Sequence, residues 1–153
     1  MRSRSAAAAR WGWAGAACLL GLLAVATPLV LTAPPSVAGT YLHAPAAFGA
    51  DLPTSVSGRV VWAQPRDACR PITNAAQVRS SIALATRSPP GATHRCDFAA
   101  KVRALQAAGA RLVVIVNHDG RAGVDDANEL VTMTAVDAAK DIKIPAVFVV
   151  RRI

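Results

Sequence analysis

The stretch from Ser81 to Val116, SIALATRSPPGATHRCDFAAKVRALQAAGARLVVIV, decides the fold of this chain. It opens with a short apolar run, Ile82-Ala83-Leu84-Ala85-Thr86, closed by the breakers Ser88-Pro89-Pro90-Gly91, which is the pattern of a buried strand. Asp97 then stands where a helix N-cap belongs. Phe98, Val102 and Leu105 recur at i, i+4 and i+7, and Gly109 supplies the C-terminal stop. On this reading Lys101 and Arg103 point away from the apolar stripe. Leu112-Val113-Val114-Ile115-Val116 follows as a near-continuous β-branched run, the signature of a strand buried on both faces and parallel to its neighbour. Strand, helix and strand in this order form a βαβ unit, so the class is α/β, with a mostly buried sheet and one principal helix.

Upstream, Gly58-Arg59-Val60-Val61-Trp62-Ala63 has the β-branched and aromatic content of another strand, and Gln64-Pro65-Arg66-Asp67 ends it with turn chemistry. Cys69 to Ser80 reads as a loop pinned at Cys69. Tyr41 to Pro53, rich in Ala and Pro with a Phe48-Gly49 step, reads as an ordered lead-in crossing a domain edge rather than a regular element. Downstream, Asn117 to Asp126 is polar and acidic, an exposed loop. Asn128 to Met133 is expected to form a turn or short strand, and Ala135 to Asp141 one or two helical turns. Ala146-Val147-Phe148-Val149-Val150 is a last strand, with Pro145 before it where a missing N–H does least harm.

The 153 residues allow one ordinary domain, and the first thirty-nine read as targeting sequence. Arg2, Arg4 and Arg10 form a positive n-region and Ala14 to Leu31 is apolar apart from Thr27 and Pro28. Val37-Ala38-Gly39 offers the small residues at which a signal peptidase cuts. The expectation is a signal peptide over 1–39 and a domain over 40–153. The competing reading is an uncleaved signal anchor, since the apolar stretch approaches the roughly 20 residues that span a bilayer. Pro28 and the Pro34-Pro35 pair favour cleavage.

From Thr40 onward fourteen Lys and Arg face nine Asp and Glu, a net charge of +5 against +8 for the whole chain. Arg59, Arg66, Arg70, Arg79, Arg87 and Arg95 are spread along the sequence, without the basic stripe interleaved with aromatics that marks a nucleic-acid surface. No nucleic-acid partner is expected. Cys18 falls in the leader, which leaves Cys69 and Cys96 as an even pair that an oxidising compartment tends to join; the alternative is two buried thiols. Closing that loop is worth roughly 3 to 4 kcal/mol in the chain-entropy model. His43, His94 and His118 do not sit at zinc-ligand spacing from either cysteine, so neither a metal nor another cofactor is expected.

Pro45-Ala46-Ala47-Phe48-Gly49, Leu52-Pro53, Gly58 to Val61 and Ala68-Cys69-Arg70-Pro71-Ile72 resemble the amino-terminal half of protease-associated (PA) domains. Cys96-Asp97-Phe98, Lys101-Val102, Gln106 to Ala110, Val113 to Asn117, Leu130 to Met133 and Ile142 to Val149 follow in the same family's order. The resemblance runs from about Pro45 to Val149. Within the superfamily the chain is most similar to the lumenal domain of Goliath-type transmembrane RING ubiquitin ligases; vacuolar sorting receptors and signal-peptide-peptidase-like proteases carry related domains. The resemblance implies a non-catalytic domain that binds protein or peptide partners in the secretory or endolysosomal lumen, as the substrate-selecting part of such a ligase or of a truncated relative. The alternative is an accessory domain of a protease or of a sorting receptor. Two departures stand out: Pro89 to His94 reads as an insertion, and the chain ends at Ile153, where the family pattern continues through another helix and strand. The expectation is therefore a C-terminally incomplete domain, with membrane association only through missing downstream sequence or an uncleaved leader.

No Gly-x-Ser-x-Gly elbow, His-Glu-x-x-His helix, phosphate loop or dinucleotide fingerprint occurs, so no catalytic residue is assigned. The most suggestive polar cluster is Asn117-His118-Asp119 with Asp125-Asp126, since α/β sheets place ligands at the carboxyl ends of parallel strands. It is a candidate cation or partner-contact loop, and the plainer reading is a solvated turn. Trp62 and Phe98 are candidate binding aromatics for which core packing is the plainer role. Arg151-Arg152 reads as a charged terminus.

Overall fold

A computed structural model of the chain describes residues 29–32, 35, 38–89, 91–118, 129–137 and 139–150. The arginines of the n-region, most of the apolar leader, the acidic residues Asp119, Asp125 and Asp126, and Arg151-Arg152 lie outside the described residues. The elements are β1 (Leu29–Leu31), β2 (Gly39–Tyr41), β3 (His43–Pro45), β4 (Val60–Trp62), α1 (Ala75–Val78), β5 (Ile82–Thr86), α2 (Phe98–Ala107), β6 (Leu112–Val116) and β7 (Ala146–Val149).

Five strands form one mixed sheet in the order β3-β7-β6-β5-β4, and β1 pairs with β2 alone. β4, β5, β6 and β7 are parallel, with Ile82 opposite Leu112 and Val113 opposite Ala146. The β-branched run of β6 therefore lies at the centre of the sheet, as its two-sided burial requires. Alternation assigns its faces. Val113, Ile115, Ala146 and Phe148 meet Ala99, Val102 and Leu105 of α2, across a sheet surface that Ala83 and Ala85 keep low enough for the helix to approach. Leu112, Val114, Val147 and Val149 face the other way and pack with Leu29, Leu52, Val56, Ile82 and Leu84.

The ends of α2 follow from its sequence. The Asp97 side chain accepts from the Ala100 N–H at 2.6 Å, occupying a donor that the first turn leaves free. At the far end Gly109, with φ of +87°, lets its own N–H reach Gln106 O and the Ala110 N–H reach Leu105 O, a Schellman closure.

Four local expectations are corrected. The lead-in from Tyr41 contains a strand, β3, which pairs antiparallel to β7; Pro45 is tolerated there because β3 is an edge strand. The loop after Cys69 contains a helical turn, α1, held by the Asn74 side chain, which donates to Trp62 O at 2.9 Å and accepts from Gln64 N at 2.9 Å. Residues 129–135 hold neither the turn nor the short strand expected of them, and bends at 136–137 and a turn at 140–141 stand where helical turns were expected. Arg103 fixes this segment with a two-carboxylate fork, meeting Asp141 at 2.6 Å and Asp137 at 2.7 Å. Finally, Lys101 does not point away from the core: it is 1% exposed. The terminal strands are also shorter than the sequence suggested, β4 losing Gly58, Arg59 and Ala63 and β7 losing Val150.

Candidate functional site

Two regions qualify, one where polar residues gather and one where the surface opens. The first is the carboxyl end of the parallel strands. Asn117, just past β6, is 1% exposed, and its N–H donates to Val149 O at 2.9 Å. Its Oδ1 accepts from Arg87 Nη1 at 3.3 Å and from the His118 N–H at 3.0 Å, while its Nδ2 reaches Glu129 O at 3.5 Å. Arg87 also lies with Cζ 6.0 Å from the centre of the Phe148 ring. Asn117 and His118 are therefore buried, in contrast to the solvated turn expected of them, and Asn117 ties the ends of β5, β6 and β7 to the segment at Glu129. Its amide is committed to structure. Across the sheet end, in register with Val149, His43 is 7% exposed, and burial pushes its imidazole below the ordinary value. Among the described residues no group of three His, Cys, Asp or Glu could hold a metal ion.

The second region is a half-open groove of about 460 Å³ beyond the end of β3, lined by residues 45–52 and Ala146. Its wall is a run of small residues hung on backbone bonds, Ala46 N to Ala146 O, Ala47 N to Met133 O and Ala50 N to Ile144 O. Gly49 makes the turn with φ of +83°, and a Cβ there would stand 2.6 Å from Ile144 O. The side chains offered are Phe48 and Leu52, with Asp51 the lone ionisable group in the lining. Such a surface is apolar apart from one carboxylate. It carries no nucleophile and no acid–base pair.

Phe98 packs against the core, its ring edge-to-face with Phe148 at 6.0 Å between centroids. Trp62 does not: it is half-buried on the edge strand β4, outside both packed clusters, with Arg66 Cζ 4.7 Å from its ring centre. Cys69 and Cys96 are joined, with Cα atoms 5.5 Å apart, so the start of α2 is tied to the turn after β4.

Sequence reasoning missed both Lys101 and the groove. For Lys101 a signal existed, because 98, 101 and 105 fall at i, i+3 and i+7 and so share one helix face. Its Nζ donates to Asp67 O, to Ser88 Oγ at 3.0 Å and to Cys69 Sγ at 3.2 Å. The groove had no such signal, since small residues in a turn do not announce a concavity.

A protein-family model described as the PA domain matches residues 56–152. No curated protein matches the sequence.

Proposed function

The chain belongs to the PA domain family, and from that premise we propose that it is a recognition domain whose groove at Pro45 to Leu52 receives an extended protein or peptide segment in the secretory or endolysosomal lumen. PA domains in general serve recognition or accessory roles. The lining of the groove carries this reading: Ala, Pro, Gly, Phe48 and Leu52 around a single carboxylate, Asp51, make a surface for binding without chemistry.

The Cys69–Cys96 bridge fits an oxidising compartment. No helix of the described residues is long and apolar enough to cross a membrane. We further propose that residues 1–39 are a signal peptide. Cleavage after Gly39 takes β1, the first residue of β2 and the Leu29 contact on the far face of the sheet, and leaves the residues of β3 to β7 in the chain. The ordered motifs from Ala68 to Val149 support the finer reading, a substrate-selecting domain of a Goliath-type transmembrane RING ligase.

The test is proximity labelling from the full chain expressed in secretory cells, beside Ala47→Arg, which places a long cation at an exposed groove position. Lumenal neighbours lost in the variant, on a product whose first residue is Thr40, support the proposal. Cytosolic neighbours alone, or the same neighbours from both chains, refute it.

A further inference from the structure

The Cys69–Cys96 bridge is electrically lopsided. On the Cys69 side, Lys101 Nζ stands 3.2 Å from Cys69 Sγ and 3.0 Å from Ser88 Oγ, and donates also to Asp67 O. Ser88 Oγ is itself 3.8 Å from Cys69 Sγ. An ammonium has three N–H donors and no acceptor, and here three acceptors surround it, so the site is built for the charged form. Burial lowers the Lys101 pKa from its ordinary value, and the carboxylates of Asp67 and then Asp97 offset part of that. Lys101 is 1% exposed and Ser88 9%, while Cys69 is half-buried, so water screens the ammonium's field at the sulfur less than it would at the surface.

On the Cys96 side no such cation is in contact among the described residues. Cys96 precedes α2, where the Asp97 carboxylate occupies the Ala100 N–H, and the Asp67 carboxylate accepts from the Cys69 N–H at 3.3 Å, so each cysteine has one carboxylate nearby and the ammonium is what distinguishes them. Both cysteines are half-buried, with exposed Arg95 before Cys96 and exposed Arg70 after Cys69, so exposure and flanking charge do not separate the two sulfurs and the Lys101 contact does.

We propose that Cys96 is a site of S-thiolation, attacked by small thiols of the glutathione class or by the thiolate of a dithiol oxidoreductase, with Cys69 as the leaving group. The incoming thiolate forms a bond to Cys96 Sγ as the Cys69–Cys96 bond breaks, and the electron pair leaves on Cys69 Sγ. Lys101 and Ser88 hold that thiolate by hydrogen bonds. The product is a mixed disulfide at Cys96. A second thiolate, from another small thiol or from the second sulfur of a dithiol, then attacks the outer sulfur, the electron pair leaves on Cys96 Sγ and the thiols depart as a disulfide, leaving both protein cysteines reduced; without one, Cys69 re-attacks Cys96 Sγ, expels the incoming thiol as thiolate and the bridge closes. The direction follows because thiol–disulfide exchange is faster when the departing sulfur is the better-stabilised thiolate. Lys101 is a positioning residue here, acting through Cys69.

The experiment is native-state exchange of the full-length oxidised chain with reduced glutathione, trapped directly by excess N-ethylmaleimide at mildly acidic pH and read by peptide mass spectrometry. Wild type is expected to carry glutathione on Cys96 and the alkyl group on Cys69, with a site preference on the order of threefold to tenfold. Lys101→Met is expected to bring the ratio close to even, and Lys101→Arg to preserve the bias. A purely structural lysine would change the rate of opening in both directions alike and leave the site ratio unmoved. Should Lys101→Met fail to fold, the wild-type ratio and its decrease in Ser88→Ala decide. Replacing glutathione with a vicinal dithiol, which resolves its own adduct, is expected to yield the doubly reduced chain and separates the two thiol sources. Glutathione chiefly on Cys69, an even split in wild type, or no opening while the chain stays folded would overturn the proposal.

Discussion

Phe148→Ala is the perturbation that asks most of the packing described above. Phe148 is 0% exposed, stands at the middle of β7 between Ile115 and Ala44, and takes the edge of Phe98 at 6.0 Å. Removing a buried phenyl group loses its transfer free energy and leaves a cavity that backbone on both sides prevents from collapsing, a cost of about 3 to 5 kcal/mol. For a domain of this size each kcal/mol moves the melting temperature by roughly 4 to 8 °C, so the loss is about 12 °C or more. The Phe98 edge contact contributes about 0.5 to 1.5 kcal/mol of this, which a Phe98→Ala, Phe148→Ala double-mutant cycle isolates. Urea unfolding followed by circular dichroism gives the free energies. Val136→Ala is the control, because that side chain is 90% exposed and is expected to stay within about 0.5 kcal/mol of wild type. A Phe148→Ala loss below about 1.5 kcal/mol with the fold retained would refute a core centred on β6, β7 and α2.

The remaining predictions concern conformational strain, pH and charge. Gly49→Ala is expected to lose stability by about 1 to 3 kcal/mol, since the residue needs a positive φ and its Cβ would meet Ile144 O; unchanged thermal unfolding would contradict this. His43 has its pKa lowered from 6.5 by burial, so between its folded pKa and 6.5 the unfolded chain binds the extra proton and stability falls as the pH drops through that window. His43→Phe is expected to flatten the slope of melting temperature against pH between about 7 and 5; an identical slope in both proteins removes His43 as its source. Asp137 and Asp141 are held below the usual carboxylate value, first by their hydrogen bonds to Arg103, so the fork's contribution is kept at neutral pH and lost as the pH falls through their lowered folded pKa values. Both carboxylates are solvent-exposed, and salt titration of Arg103→Ala against wild type is expected to show only a small stability difference, vanishing at high ionic strength.

The parallel core was legible because each of its pieces carries its own period. Continuous β-branched character marked β6, breakers bounded β5, and an N-cap, an apolar stripe and a glycine delimited α2. Ile82 and Leu112 do lie side by side. What was not legible depends on partners distant in sequence. Nothing local in His43-Ala44-Pro45 announces a strand, because its ladder is supplied by β7, about a hundred residues on. Lys101 was assigned outward by its charge, and only the fold reveals the three acceptors that make its burial possible. Asn117 and His118 looked solvated for the same reason: polar composition does not show whether a hydrogen-bond partner waits inside. The groove is a property of the space between residues 45–52 and Ala146, which no local pattern encodes.

A photo-crosslinking amino acid at Ala50, an exposed groove position, compared with the same group at Ala76, exposed on α1 away from the lining, tests the recognition reading most directly. In chains expressed through the secretory pathway, the account predicts discrete adducts to lumenal proteins from position 50 that Ala47→Arg abolishes, and background labelling from position 76. Equal adduct patterns from the two positions, or adducts at 50 that survive the arginine, would contradict it.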